Sequence, residues 1–68
     1  MRIIELSLTA REGTLFINPE SIEVFHQTMV YDEADYRPGS MVRLASGVQY
    51  NVVETPDRIR QMIDEADD

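Results

Sequence analysis

The chain has 68 residues with no cysteine, no lysine and a single histidine, and its thirteen acidic residues against six arginines leave a net charge of −7. That length points to one domain, residues 1–68, and a domain so small buries only about 60% of the surface its unfolded chain exposes, so the core must be thin. Without thiols there is no disulfide or thiolate metal site, one imidazole does not make a histidine-built one, and no cofactor motif is present; arginines scattered through an acidic background disfavour nucleic acid and anionic membranes.

In chain order, Ile4, Leu6 and Leu8 alternate with Glu5, Ser7 and Thr9, the pattern of a half-buried first strand. Ala10-Arg11-Glu12-Gly13 reads as a hairpin loop in which Gly13 takes a positive φ. Thr14 to Ile17 forms a short second strand, stopped by Asn18-Pro19 because proline cannot donate to a ladder and restricts the residue before it. Ser21 to Met29 is the third strand, with Ile22 and Val24 on one face and Phe25 on the other. Tyr31 to Gly39 is polar and acidic and ends in Pro38-Gly39, so it is expected to be the longest and most mobile loop. Val42 and Leu44 then alternate with Arg43, Ala45-Ser46-Gly47 turns the chain, and Val48, Tyr50 and Val52 alternate with Gln49 and Asn51. Thr55 is placed as an N-cap and Pro56 at the first helical position, where its missing N–H costs nothing. The helix carries one apolar stripe at Ile59, Met62, Ile63 and Ala66, which should cover the sheet. Asp64, Glu65, Asp67 and Asp68 oppose the helix dipole, so the last residues are expected to fray. The fold class is therefore mainly β with one C-terminal helix: a small antiparallel sheet, or a partly open barrel of four or five strands, covered by that helix.

No apolar run approaches the ~20 residues that span a bilayer, and Met1-Arg2-Ile3-Ile4-Glu5 meets a carboxylate before a signal-peptide core forms, so a cytoplasmic location is expected. Asp32-Glu33-Ala34-Asp35 and Asp64-Glu65-Ala66-Asp67 both spell a helicase signature. That motif works beside a glycine-rich loop bearing lysine, and here there is neither, so the match is coincidental. The same carboxylates lack the spacing of an EF-hand. His26 has no cysteine to activate and no serine and acid at a telling spacing, which favours a surface histidine over a catalytic one. No catalytic, cofactor-binding or metal-binding residue is assigned, and the protein is expected not to be an enzyme.

The candidate partner-binding residues are Tyr31, Asp32, Glu33, Asp35, Tyr36 and Arg37, where two tyrosines flank acidic charge. Aromatic rings supply burial energy at interfaces and charge steers association. Tyr50, among valines, is assigned to the core. A thin core and open strand edges also make a weak homodimer an expectation.

Taken together, Gly13-Thr14-Leu15-Phe16-Ile17-Asn18-Pro19, Ile22-Glu23, Val42-Arg43-Leu44, Gly47 to Thr55, and Ile59 with Ile63 resemble the short flagellar and swarming-motility proteins of the FlbD type. Those carry a glycine and an aromatic before Asn-Pro, an Ile-Glu pair, a Leu-x-x-Gly hairpin, a Val-x-Glu-Ser/Thr exit and a closing helix. The resemblance covers most of the chain and implies a non-enzymatic protein–protein interaction module, accessory to bacterial flagellar motility, with a protein partner of unknown identity. Two departures stand out: the Met29 to Ser40 segment is longer than the usual link, and the C-terminus is acidic where the family's is lysine-rich. The alternative is a small phage or prophage accessory protein that binds a host or virion component, since such proteins also use miniature β-rich domains.

Overall fold

The structure, a computed structural model, describes residues 2–66. Five strands precede one helix: β1 (Ile4–Ser7), β2 (Thr14–Ile17), β3 (Ile22–Asp32), β4 (Asp35–Leu44), β5 (Gln49–Val52) and α1 (Pro56–Ala66). They form two antiparallel sheets, β1-β2 and β3-β4-β5, which do not close into a barrel. The expected β-plus-helix architecture is thus present. Its first hairpin turns through a 3-10 turn at Thr9–Arg11 and closes with the Leu8 N–H donating to the Gly13 carbonyl at 2.9 Å. Gly13 has φ 130°, as expected, and Ala10 shares the strain with φ 56°.

The two sheets meet where β1 ends beside the end of β5. Leu8 bridges Val52, and the Val53 N–H donates to the Ser7 carbonyl at 2.9 Å. Glu54 reinforces this seam from both of its ends: its carboxylate accepts the Ser7 N–H at 2.9 Å, and its carbonyl accepts the hydroxyl of the fully buried Ser40 at 2.7 Å. A buried hydroxyl without a partner would cost about 1 to 3 kcal/mol, so this bond is what lets a polar side chain lie inside.

The core consists of Ile4, Leu6, Ile17, Val42, Val52 and Ile59, with Leu44, Tyr50 and others packed around it. Thr55 begins the helix, its hydroxyl accepting from the Arg58 N–H at 3.4 Å. Ile59 is fully buried while Met62, Ile63 and Ala66 are half-buried against the core, so the apolar stripe is spent on the fold as expected. The fraying expected of Asp67 and Asp68 lies outside the described residues. Asn18, expected with Pro19 only to stop β2, also caps a 3-10 turn, its side-chain carbonyl accepting the Glu20 N–H at 2.9 Å.

Two expectations need correction. Ile22 and Val24 do not share a face: a bulge between them adds a residue to β3, so Ile22 and Phe25 both pack on the core while Val24 stays exposed. More consequentially, Tyr31 to Gly39 is not a loop. β3 and β4 continue through it as one long antiparallel ladder, Met29 opposite Pro38, Val30 opposite Arg37 and Tyr31 opposite Tyr36, and only Glu33-Ala34 turns. The resulting arm gives the molecule its 36 × 23 × 20 Å elongation.

Candidate protein-interaction surface

The arm is built by a turn without a glycine. Glu33 takes φ 62° at the first of the two turning positions, a left-handed conformation that glycine or asparagine ordinarily supplies in such hairpins. The ladder beyond it is nevertheless regular, and β-branched and aromatic residues at Thr28, Val30, Tyr31 and Tyr36 suit a pleated surface. Pro38 is tolerated because β5 flanks β4 only from Ser40 to Arg43, leaving the stretch around Pro38 without a second neighbour to receive an N–H. Gly39 is required for a different reason. A Cβ there would collide with the Val52 carbonyl oxygen and lie 2.8 Å from a methyl of Val30, so the strand passes this point only without a side chain.

Cross-strand partners share a face, and this sorts the candidate residues. Tyr31 and Tyr36 stand opposite each other with ring centroids 5.0 Å apart at 68°, an edge-to-face contact that contributes about 0.5 to 1.5 kcal/mol beyond its buried area. Both rings remain open to solvent, at 49% and 65%, and the next pair on that face, Met29 and Pro38, is exposed too. The opposite face carries Val30, which is buried, its methyls beside Gly39 where the Val52 carbonyl also approaches. The arm thus has a tethered side and a free apolar side.

Charge gathers at the tip. The Arg37 guanidinium lies 3.4 Å from the Asp32 carboxylate, and the Asp35 carboxylate accepts the neighbouring Tyr36 N–H at 2.8 Å. Arg37 is more than half exposed, so the ion pair adds little stability and serves chiefly to hold the two side chains in place. Among the described residues no three histidine, aspartate or glutamate side chains gather as a metal site would need. All six candidate residues therefore lie on one hairpin end, with the tyrosines paired rather than flanking a mobile loop. Met29 and Pro38 escaped the sequence reading. Their signal was the alternation Met29, Tyr31 continuing the period of β3, which the absent turn glycine concealed.

His26 is exposed with Nδ1 3.0 Å from the Gln27 carbonyl, and among the described residues no serine or carboxylate is hydrogen-bonded to it. The Ser21 and Ser40 hydroxyls are committed to the carbonyls of Asn18 and Glu54. An open groove of about 560 Å³ runs between α1 and the first hairpin, and part of its polar lining is engaged internally: Glu54 holds the Ser7 N–H, and Arg58 lies 3.9 Å from Glu65. No helix of the described residues is long and apolar enough to cross a membrane. No family model matches the chain, and no curated protein or solved structure matches it.

Proposed function

We propose that this protein is a non-enzymatic protein–protein interaction module whose β3–β4 arm carries the partner contact, and that it serves as an accessory protein of bacterial flagellar motility. The observation that carries the first part is the exposed apolar face of the arm, where Met29, Pro38, Tyr31 and Tyr36 stand together beside the charged tip. Aromatic residues with two rotatable bonds bury large area at small entropic cost, and charges at the rim set orientation and association rate. The motility role rests on the FlbD-type resemblance of the Asn-Pro stop, the Leu-x-x-Gly hairpin and the Val-x-Glu-Thr exit.

The test has two arms. Replacing Tyr31 and Tyr36 together by serine should leave the circular dichroism spectrum in place and abolish recovery of the partner from the native host. Undiminished recovery by the folded variant refutes the arm as the contact surface. Deleting the gene should impair swarming, and normal swarming of the deletion strain refutes the motility assignment.

A further inference from the structure

The open backbone edges of this molecule are unequal. β2 is a short edge, and the free part of β4 is blocked by Pro38. β3 is bonded on one side only and regular from Val24 to Asp32, a stretch with no proline and no lysine, the residues that ordinarily protect an edge from pairing with another chain. Its hydrogen-bond parity follows from its neighbours. A two-residue turn closes on a hydrogen-bonded pair, here Asp32 with Asp35, so alternate pairs back from it, Val30 with Arg37 and Thr28 with Gly39, exchange bonds across the ladder. Pro38, which has no N–H, falls on a pair that exchanges none. The backbone groups of Phe25, Gln27, Met29 and Tyr31 consequently point outward from the sheet.

We propose that a second copy of this chain pairs with β3 across a two-fold axis at Thr28, the midpoint of the regular stretch, joining two three-stranded sheets into one of six. In that antiparallel register Gln27 faces Met29 of the second copy and Phe25 faces Tyr31, so every outward-pointing residue meets another outward-pointing one, as a hydrogen-bonded ladder demands. The side chains agree with the backbone. Phe25 and Tyr31 form two symmetry-related aromatic pairs on one face, and the exposed Met29 lies between them. Asp32, the one acidic residue in the stretch, meets Val24 rather than another carboxylate. A strand pair of this length sits below the roughly 1,200 Å² of a standard interface, so the dimer is a concentration-dependent equilibrium rather than an obligate assembly.

The chain contains no cysteine, which makes the register directly readable. Gln27→Cys and Met29→Cys, both at exposed positions, are prepared with different tags, mixed and oxidised mildly. The mixed disulfide should form several-fold faster than either symmetric one, and faster than any disulfide of a Val48→Cys control. Sedimentation equilibrium of the unmodified protein should show reversible dimerisation, weakened or lost in Gln27→Pro, because the register points the Gln27 N–H outward from the sheet. A strict monomer at the highest attainable concentration overturns the proposal. So does a dimer in which mixed cross-linking is no faster than the Val48 control, since it would then associate through another face. If Gln27→Pro does not fold, the cross-linking rates alone decide.

Discussion

The half of the molecule beneath α1 and the arm beyond Gly39 share two strands, yet different forces hold them. Under the helix, Ile4, Leu6, Ile17, Val42, Val52 and Ile59 come from four strands and the helix and are buried together, so each is fixed by contacts from several directions. In the arm only two strands are present, one face stays open, and apart from the buried Val30 the side chains touch water. An isolated two-stranded hairpin is marginal in water, so the arm depends on the core through the buried Val30 and the close crossing of Val52 at Gly39. The core is therefore placed to set stability and the arm to present surface.

The largest effect that tests this division is on the core side. Ile59→Ala removes a fully buried side chain from the centre of the helix contact and should cost about 2 to 5 kcal/mol, a large share of what a domain of this size has. Truncation before Thr55 removes the whole cover and should abolish cooperative folding. Denaturant titration followed by circular dichroism measures both. A wild-type midpoint for Ile59→Ala would mean that the helix is not part of the core and would erase the contrast.

Next in size is the junction. Gly39→Ala places a Cβ against the Val52 carbonyl, which is backbone and cannot rotate away, so β4 or β5 must shift. A loss of about 1 to 3 kcal/mol is expected, of the order seen when cores are overfilled. Because Ser40 and its bond to the Glu54 carbonyl lie one residue on, amide exchange should quicken at Val52 and Val53 as well as in the arm. An unaltered melt would show that the arm crosses β5 with room to spare.

The same contrast explains how much could be read in advance. Where neighbours bury one face, the sequence must alternate, so β1, β2, β5 and the helix are visible from Ile4-Leu6, the Asn18-Pro19 stop, Tyr50-Val52 and the spacing of Ile59 to Ala66. The arm imposes no such demand. Its faces are Met29 and Tyr31 against Val30 on one strand and Tyr36 and Pro38 against Arg37 on the other, which puts apolar residues on the exposed side and an arginine opposite the buried valine, while Pro38-Gly39 imitates a loop ending. Gly39 was legible as a glycine with a purpose, but the purpose is a close crossing between strands rather than a turn. The bulge at Ile22 to Val24 was illegible because it depends on the partner strand. The candidate residues at 31–37 were found together for a reason only half correct: tyrosine and charge do collect there, but on a regular ladder rather than a loop.

The smallest expected effect lies at the tip. Glu33 holds φ 62°, a conformation that costs a residue with a Cβ about 1 kcal/mol relative to glycine. Its side chain is exposed, and ion pairs at such positions contribute little, so Glu33→Gly should be a net gain of about 0.5 to 1 kcal/mol. If the arm melts together with the core, as the burial of Val30 and the crossing at Gly39 require, that gain appears in the global transition as a rise of about 2 to 8 °C. If the arm opened by itself ahead of the core, the melting temperature would stay put and only the amide exchange of Tyr31 and Tyr36 would slow. The substitution thus measures the coupling between the two regions without touching either the core or the tyrosine face.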